Sequence, residues 1–425
     1  MEARTTKARS HVVLADLGHS KVSLDRIFAV VAGLFLIVLP IPHTVTLRLS
    51  ALAFLAIAAA IFARRGDTPP IPLKVPLMLW FGLASLSLLW AVSASYTLGE
   101  IRTEILYSVL AFVIFFSQAR TVERVEQWVR SLVLIILAMS VVVVVLQYLH
   151  IDTDYPAAIY PGVGSYTAFA VTVFPYLLLT VLFSPRLSWM LRGVLWLVIV
   201  LVVVTEAITH NCIFWFALGG ATMVYAALSA AREVDAYRRR MLAVTVVALP
   251  ILIMVAVTIV HAERFGIPVD TTSVLDWLTY RDPRLQLWSL VWDRFLLHPW
   301  VGLGFGLRTL NYAYPDLQQI NIVFWHPHNL VLSYAIGMGV LGVAVLVLLF
   351  AAIVRELWQL YRDPNPSISR LGIAGLAMVT GVLIRNMTDG FFYRENSLLF
   401  WSLLGMTLGC AAYSRRRHLP GRTSS

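Results

Sequence analysis

The segment that decides the fold runs from Asn329 to Ile353 and reads NLVLSYAIGMGVLGVAVLVLLFAAI. It holds 25 residues without a charged side chain. About 20 apolar residues in a helix cross the hydrocarbon core of a bilayer. Because lipid offers no partner to backbone N–H and C=O groups, such a segment must pair them internally as a helix. The segment therefore predicts a transmembrane helix.

The composition extends that prediction to the whole chain. Of its 425 residues, 59% are hydrophobic and only 13% are charged, against roughly 25% charged residues in soluble domains. The net charge of +10 fits the Lys and Arg that membrane proteins carry on cytoplasmic connections, so we expect no nucleic-acid partner. Cys212 and Cys410 both fall in apolar stretches, which indicates neither a disulfide framework nor a metal cluster.

The hydropathy pattern predicts an all-α integral membrane protein with about twelve transmembrane helices. The predicted spans are 25–41, 44–63, 75–95, 101–118, 128–149, 166–184, 188–207, 210–231, 241–261, 329–353, 371–388 and 396–413. They divide the chain into an N-terminal tail (1–24), helices 1–9 (25–261), a long loop (262–327), helices 10–12 (328–413) and a C-terminal tail (414–425). The polar start lacks a cleavage-site pattern, so we expect the first helix to be retained.

Lys and Arg occur on every second connection between these spans. The basic connections include Arg64 and Arg65, Arg238 to Arg240, and the tail at Arg415 to Arg417, whereas the connections near 42–45, 150–165 and 208–210 carry none. Because cytoplasmic loops carry the excess of Lys and Arg, this alternation predicts that both termini are cytoplasmic.

The loop at 262–327 differs from the other connections in its length. Long loops are exempt from the charge rule and are usually functional or disordered. Here we expect an amphipathic helix at the membrane surface, because apolar side chains recur at helical spacing at Leu285, Trp288, Val291, Trp292 and Phe295. Gly302, Gly304 and Gly306 then mark a turn.

Polar groups concentrate on the outer side of the predicted topology. The long loop ends in Trp325-His326-Pro327-His328-Asn329, and the last outer connection carries Arg385, Asn386, Asp389 and Arg394. Ionisable groups at membrane depth usually face a cavity. Any one of these arginines could be an interfacial anchor, but their clustering favours a functional site. A separate Asp152-Thr153-Asp154 could bind a divalent cation, although so short a pattern is more simply a solvated loop.

Three of these motifs together resemble the O-antigen ligases (WaaL-type) of the O-antigen ligase and polymerase family (Wzy_C-like). They are His328-Asn329 followed by Gly339 and Gly342, the stretch from Arg284-Leu285-Gln286-Leu287-Trp288 to His298-Pro299-Trp300-Val301-Gly302-Leu303-Gly304, and Arg385-Asn386-Met387-Thr388-Asp389 with Arg394. The plan of twelve spans with one long periplasmic loop is similar as well.

The resemblance implies a glycosyltransferase of the GT-C type that uses neither a metal nor a cofactor. It would lie in the bacterial inner membrane among membrane lipids, with its active site facing the periplasm. The donor would be a glycan linked to undecaprenyl pyrophosphate. The acceptor would be a sugar hydroxyl of lipid A-core, so the reaction would belong to lipopolysaccharide biosynthesis.

The residue types in the motifs fit that chemistry. Arginine pairs bidentately with phosphate oxygens and keeps its charge, so Arg284 first and Arg281 second are expected to hold the pyrophosphate. Histidine titrates near neutral pH, and the start of a helix favours the neutral imidazole that a base requires. His328 is therefore the expected general base.

Other residues of the motifs have two interpretations or a packing role. His326 either orients the substrate or is exposed in the loop. Asp389 either orients a catalytic histidine or arginine, or caps a helix. Gly339 and Gly342 are expected to let helices approach closely.

One position departs from the family pattern. His210 stands where family members commonly carry an arginine near the outer end of the eighth helix, and Glu206 lies four residues earlier. Either His210 takes that place, or the phosphate contact comes from Arg385, Arg394 or Arg48.

Two alternatives remain open. The same fold could serve as an O-antigen or exopolysaccharide polymerase or as a protein O-oligosaccharyltransferase, because these enzymes share the donor chemistry. A secondary transporter of an anionic lipid or sugar would have duplicated halves and helices broken near mid-membrane. The sequence indicates neither feature, so we expect unbroken helices and chemistry at the outer surface.

Overall fold

The computed structural model describes residues 24–64, 68–148, 163–184, 187–208, 211–265, 283–321, 324–388, 390 and 393–417. These residues form helices and connections without a β-strand. In chain order, the helices α1 to α16 are 24–38, Val45–Ala63, Lys74–Leu86, Ala94–Glu100, Tyr107–Gln118, Val122–Tyr148, Val163–Phe183, Trp189–Ile208, Cys212–Arg232, Ala236–Phe265, Pro283–Phe295, Thr309–Ala313, Leu317–Ile320, Leu330–Tyr361, Pro366–Arg385 and Arg394–Arg417. A 3₁₀ turn at Ser87–Leu89 extends α3, and a π-helix at Ile101–Leu106 joins α4 to α5.

The predicted all-helical membrane architecture is confirmed. Eight of the described helices are long and apolar enough to cross a bilayer, namely α2, α6, α7, α8, α9, α14, α15 and α16. Helices also occupy the other predicted spans, but α1 and α3 are shorter than the roughly 20 residues that a crossing requires. The chain is therefore a multi-pass membrane protein, while the count of twelve spans stays a prediction.

Helix α16 lies at the centre of the bundle and is more enclosed than the other seven candidate spans. It packs against α5, where Cβ atoms added to Gly405 and Gly409 would overlap the backbone of Phe112 and Phe116. Helices in lipid associate through close van der Waals packing, and a small residue at every fourth position permits it. The GMTLG sequence at 405–409 is therefore the physical reason that α16 can lie so close to α5.

Helix α14 is broken at Gly339, which makes the expectation of unbroken helices wrong. Gly339 has φ 65° and ψ −160°, and it lies about 14 Å along the helix from Leu330 at 1.5 Å per residue. The segment 298–308, here called the glycine loop, fills the break. Val340 N donates to the Pro299 carbonyl (2.8 Å), and the Ile336 and Gly337 carbonyls accept from Leu303 N (2.9 and 3.1 Å).

The break is therefore enclosed by protein. Non-helical backbone at membrane depth is tolerated where it is buried in protein or lines a water-filled cavity. Here the hydrogen bonds from the glycine loop show that the break is buried in protein. In the described part of the chain, the backbone groups freed at Gly339 bond to this loop. A transporter site would instead use them to coordinate its cargo.

Gly339 and Gly342 do not bring two helices together, which corrects their expected role. A Cβ at Gly339 would overlap the Trp300 carbonyl group in the glycine loop, and one at Gly342 would overlap Met338 within α14 itself. The two glycines let α14 bend and accept a loop.

Helix α11 occupies the segment that was predicted as an amphipathic helix, and its buried face overlaps the predicted apolar stripe in part. Leu287, Val291 and Phe295 are buried in an apolar cluster with Ala335 and Ile336 of α14. Leu285 and Trp292, both expected in the apolar stripe, are about half exposed. This packing seats α11 against the first half of α14, beside the predicted site.

Candidate functional site

The histidine segment, residues 324–329, leads directly into α14. His326 is buried, and its Nδ1 accepts a hydrogen bond from the His328 backbone N–H at 3.1 Å. The two imidazole rings are 3.6 Å apart between centroids. The backbone of His328, which donates this bond, has a positive φ of 49°. Because Nδ1 of His326 accepts a hydrogen bond, a neutral His326 carries its proton on Nε2. Burial excludes the interpretation of His326 as an exposed loop residue.

The start of α14 is fixed by Asn329 and by the end of α15. Asn329 caps the helix by accepting from Leu332 N (3.1 Å), and its amide donates to the Met387 carbonyl (3.0 Å). Leu330 N donates to the Asn386 carbonyl (2.9 Å). An asparagine cap satisfies a backbone N–H that the first helical turn leaves unpaired. His328 is thus held immediately before the N-terminus of a 32-residue helix.

Helix α11 contacts the histidine segment through Trp288. The Trp288 indole donates to the Pro327 carbonyl at 3.0 Å. Arg284 lies four residues earlier and so shares this face of the helix. The structure therefore brings the Arg284 face of α11 to the segment that carries His326 and His328.

We predict that Trp288→Phe loosens the histidine segment without unfolding the protein. Phenylalanine keeps the apolar packing but leaves the Pro327 carbonyl without its indole donor. A hydrogen bond of this kind contributes about 0.5–1.5 kcal/mol. The variant should lose a few degrees of thermal stability in detergent. Trp292→Phe, on the exposed side of α11, is the matched control, and an equal Tm in the two variants would contradict this role for Trp288.

Arg308, to which the sequence motifs assigned no role, lies next to Trp325 of the histidine segment. Its guanidinium is 5.1 Å from the Trp325 ring, and that ring is 3.8 Å from the His326 ring. Its backbone N–H donates to the Tyr96 hydroxyl at 2.7 Å. A cation over a tryptophan face is attracted by the ring quadrupole. Arg308 thereby connects the histidine segment to α4.

Two carboxylates of α4 and the adjoining π-helix form a part of the site that the sequence reasoning missed. Glu104 is buried in the π-helix, and both of its oxygens accept from the Arg394 backbone N–H (2.9 and 3.0 Å). A carboxylate at a helix N-terminus is favoured by the helix dipole, so Glu104 secures the start of α16. The sequence signal that could have indicated these residues is a pair of acidic side chains at the edge of an apolar span. In the structure, the π-helix is a second indication, because single-turn π segments often mark functional sites.

These carboxylates line a cleft next to the first turn of α14, here called the carboxylate cleft. Its walls come from the π-helix region, the glycine loop and α14, and its main lining residues are Glu100, Glu104, Phe305, Ser333, Tyr334 and Met338. Tyr393 lies close to both carboxylates. Burial raises the pKa of Tyr393, although Arg394 and Arg308 oppose this effect, and its phenol therefore stays a neutral donor.

The remaining predicted arginines have separate surroundings. Arg385 is buried and donates to the Gly164 carbonyl of α7 (3.4 Å). The Arg394 guanidinium is exposed and lies 4.5 Å from the Tyr393 ring. Arg48 is buried in an ion pair with Glu395 (3.0 Å), which ties α2 to α16. Arg48 is therefore engaged in packing and is a poor candidate for the missing phosphate contact.

Several predicted residues lie outside the described part of the chain, namely His210, Arg281, Asp389 and the pair Asp152 and Asp154. The roles of these five residues remain predictions. Glu206, four residues before His210 in the sequence, is buried and accepts a hydrogen bond from the Thr167 hydroxyl at 2.9 Å.

Comparison with known proteins gives one family match. No curated protein matches the chain. Residues 198–347 match the family model of the O-antigen ligase (Wzy_C). The matched segment contains Arg284, the glycine loop, His326, His328 and the break at Gly339. The match covers 150 of the 425 residues, so this part of the chain is similar to the O-antigen ligase family, which supports the resemblance seen in the motifs.

Proposed function

We propose that the protein is an O-antigen ligase of the bacterial inner membrane, with a GT-C architecture. It transfers a glycan from undecaprenyl pyrophosphate to a sugar hydroxyl of lipid A-core at the periplasmic face. One observation carries the proposal: the segment matched by the family holds His328 at the capped start of α14, and the helix of Arg284 is hydrogen-bonded to the same histidine segment through Trp288.

In the proposed reaction, His328 is the general base. Its imidazole takes the proton of the acceptor hydroxyl, and the hydroxyl oxygen forms a bond to the anomeric carbon of the donor sugar. The bond between that carbon and the pyrophosphate oxygen breaks, and the lipid pyrophosphate leaves with the electron pair. A fixed cation stabilises the charge that develops on the leaving oxygen, and Arg284 supplies it with Arg281 as a second contact.

The other predicted residues take supporting roles in this proposal. His326 positions His328, because its ring is in contact with the His328 ring and its Nδ1 holds the His328 backbone. Arg394 is exposed and can reach a phosphate more readily than Arg385, which is buried against α7. His210 takes the place of the family arginine, and Asp389 orients His328 or an arginine.

Purified protein in liposomes tests the proposal and separates it from a polymerase. The liposomes would contain undecaprenyl-pyrophosphate-linked glycan and lipid A-core, and the products would be resolved by gel electrophoresis and mass spectrometry. A ligase joins the glycan to lipid A-core and keeps its activity in EDTA. Longer lipid-linked glycan without a lipid A-core product would establish the polymerase alternative, and loss of activity in EDTA would contradict a metal-independent mechanism.

We predict that Arg284→Lys impairs the enzyme although it keeps the positive charge. Lysine is a point charge and cannot form the bidentate fork with phosphate oxygens. Transfer should fall about 10- to 100-fold, mainly through a higher KM for the lipid-linked donor. Arg294→Lys is the control on the same helix, since Arg294 interacts with Asp316 and Tyr314 instead. An unchanged donor KM in Arg284→Lys would remove Arg284 from the donor site.

A further inference from the structure

A second cleft lies at the end of the bundle opposite the histidine segment. Helix α6 begins at this end with Val122, α7 ends there with Phe183 and α15 begins there with Pro366, whereas Asn386, after the other end of α15, contacts the start of α14. Helix α7 packs on both α6 and α15, but α6 and α15 scarcely touch each other. They therefore leave a cleft with α7 as its floor, here called the α6–α15 cleft.

The α6–α15 cleft is large, and its lining changes from polar to apolar along the helices. Its volume is about 350 Å³, which lies within the range of small-molecule sites. The polar lining residues lie near the helix ends and are Glu123, Glu126, Ser184, Ser367 and Arg370. Val129 and Leu179 line the cleft farther toward the middle of the bundle, and Val129 is about 9 Å along α6 from Glu123 at 1.5 Å per residue. This gradient matches an amphipathic ligand, such as a lipid with its headgroup at the membrane surface.

Arg370 supplies the positive charge of the cleft. Its guanidinium is 4.3 Å from the centre of the Phe183 ring, and it has no hydrogen bond or ion pair with the residues that the structure describes. Arg370 also borders a cavity toward α9, but the nearest carboxylate listed there, Asp363, is already paired with Arg415 (2.9 Å). Because a guanidinium stays ionised and pairs bidentately with phosphate oxygens, Arg370 can bind a phosphate in the α6–α15 cleft.

The carboxylates of α6 supply the negative charge of the cleft. The Glu126 carboxylate is 4.0 Å from the guanidinium of Arg130, whose side chain is about half exposed, and such exposed pairs contribute little. Glu123 lies one turn earlier on the same face of α6. Two carboxylates disfavour a lipid with a net negative charge, and a quaternary ammonium has no N–H to donate to them. The complementary headgroup therefore carries both a phosphate and a primary ammonium.

We propose that the α6–α15 cleft binds one molecule of a phospholipid with a phosphoethanolamine headgroup. Arg370 holds the phosphate, Glu126 accepts hydrogen bonds from the ammonium, and the lining at Val129 and Leu179 contacts the first part of the acyl chains. The site is separate from glycan transfer, so it does not depend on the proposed function. It lies at the end of the bundle that the Lys and Arg pattern predicts to be cytoplasmic, and the lipid would come from that leaflet.

Native mass spectrometry of the purified protein in detergent tests this binding. Dioleoyl phosphatidylethanolamine, phosphatidylcholine and phosphatidylglycerol would be titrated separately, and the Kd of the first bound lipid would be compared. Because hydrogen bonds between charged groups are stronger than neutral ones, we expect wild type to bind phosphatidylethanolamine about fivefold to tenfold more tightly than the other two lipids. Arg370→Gln should weaken phosphatidylethanolamine binding about tenfold. Glu126→Gln should remove the preference for phosphatidylethanolamine over phosphatidylglycerol.

Arg362→Gln is the matched control, because Arg362 is exposed at the same end of the bundle and does not line the cleft. Glu126→Gln keeps the shape of a partly exposed side chain, so it decides the question even if Arg370→Gln lowers the Tm. Equal Kd values for the three lipids, or an unchanged preference in both cleft variants, would overturn the inference. Displacement of the lipid by an equal concentration of glycerophosphoethanolamine, which lacks acyl chains, would overturn it in favour of a soluble phosphoester.

Discussion

Replacing His328 with alanine should abolish glycan transfer while the protein stays in the membrane at its normal level. General base catalysis contributes roughly 10²- to 10⁴-fold to a rate, and His328 is the expected base at the start of α14. The replacement also removes a ring that contacts His326. The backbone N–H that holds His326 remains in the variant, so we expect the segment to keep its fold.

Complementation of a ligase-deficient Gram-negative strain that makes the matching lipid A-core measures this effect. Wild type should restore the lipopolysaccharide ladder on a gel, and His328→Ala should not, at equal protein level. His298→Ala is the control, because His298 lies in the glycine loop of the same matched segment but is exposed. A ladder that persists in His328→Ala would remove His328 from the role of base.

The order and position of the long apolar helices could be predicted from the sequence because the hydropathy of each segment decides them. Lipid cannot pair backbone polar groups, so each apolar segment of sufficient length has to be a helix. Eight of the predicted spans coincide with described helices that are long and apolar enough to cross a bilayer. The amphipathic helix α11 was predicted for a similar reason, from spacing alone. Its buried face was predicted only in part: Val291 and Phe295 are buried as expected, but burial of Leu287 depends on contact with α14, which the periodicity of α11 does not contain.

The site was predictable only where its residues are neighbours in sequence. His326, His328 and Asn329 lie within one short motif, and their grouping survives in the structure. Glu104 accepts from Arg394, 290 positions away, and no local pattern indicates that contact. The ion pair of Arg48 with Glu395 is equally distant in sequence. Such contacts arise from helix packing, so the sequence alone placed Arg48 among possible phosphate ligands.

A change of Gly339 to alanine should be the most damaging conservative substitution in α14. Gly339 has a backbone conformation that is essentially restricted to glycine, and an added Cβ would overlap the Trp300 carbonyl group. The strain of about 1–3 kcal/mol and the overpacking of about 1–3 kcal/mol act at the same place. We expect a loss of roughly 2–6 kcal/mol of stability, seen as a large fall of the apparent Tm in detergent and as loss of transfer.

The matched control is Gly82→Ala in α3, where an added Cβ meets no atom within 4 Å. Alanine there should be neutral or slightly stabilising, because glycine in a helix interior costs about 0.5–1 kcal/mol relative to alanine. An apparent Tm of Gly339→Ala equal to that of Gly82→Ala would contradict the seating of the glycine loop in the break.

The contact between the glycine loop and the break in α14 predicts that the effects of substitutions at Gly339 and Gly302 on stability are coupled. Gly302 has φ 66°, and its added Cβ would lie 2.5 Å from the Gly337 carbonyl carbon. Gly302→Ala should therefore displace the same loop from the same break. Residues that act through one contact are not additive, so the double variant should be little less stable than the worse single variant. Full additivity would mean that the two glycines serve separate contacts and that the glycine loop does not hold the break in α14 as one unit.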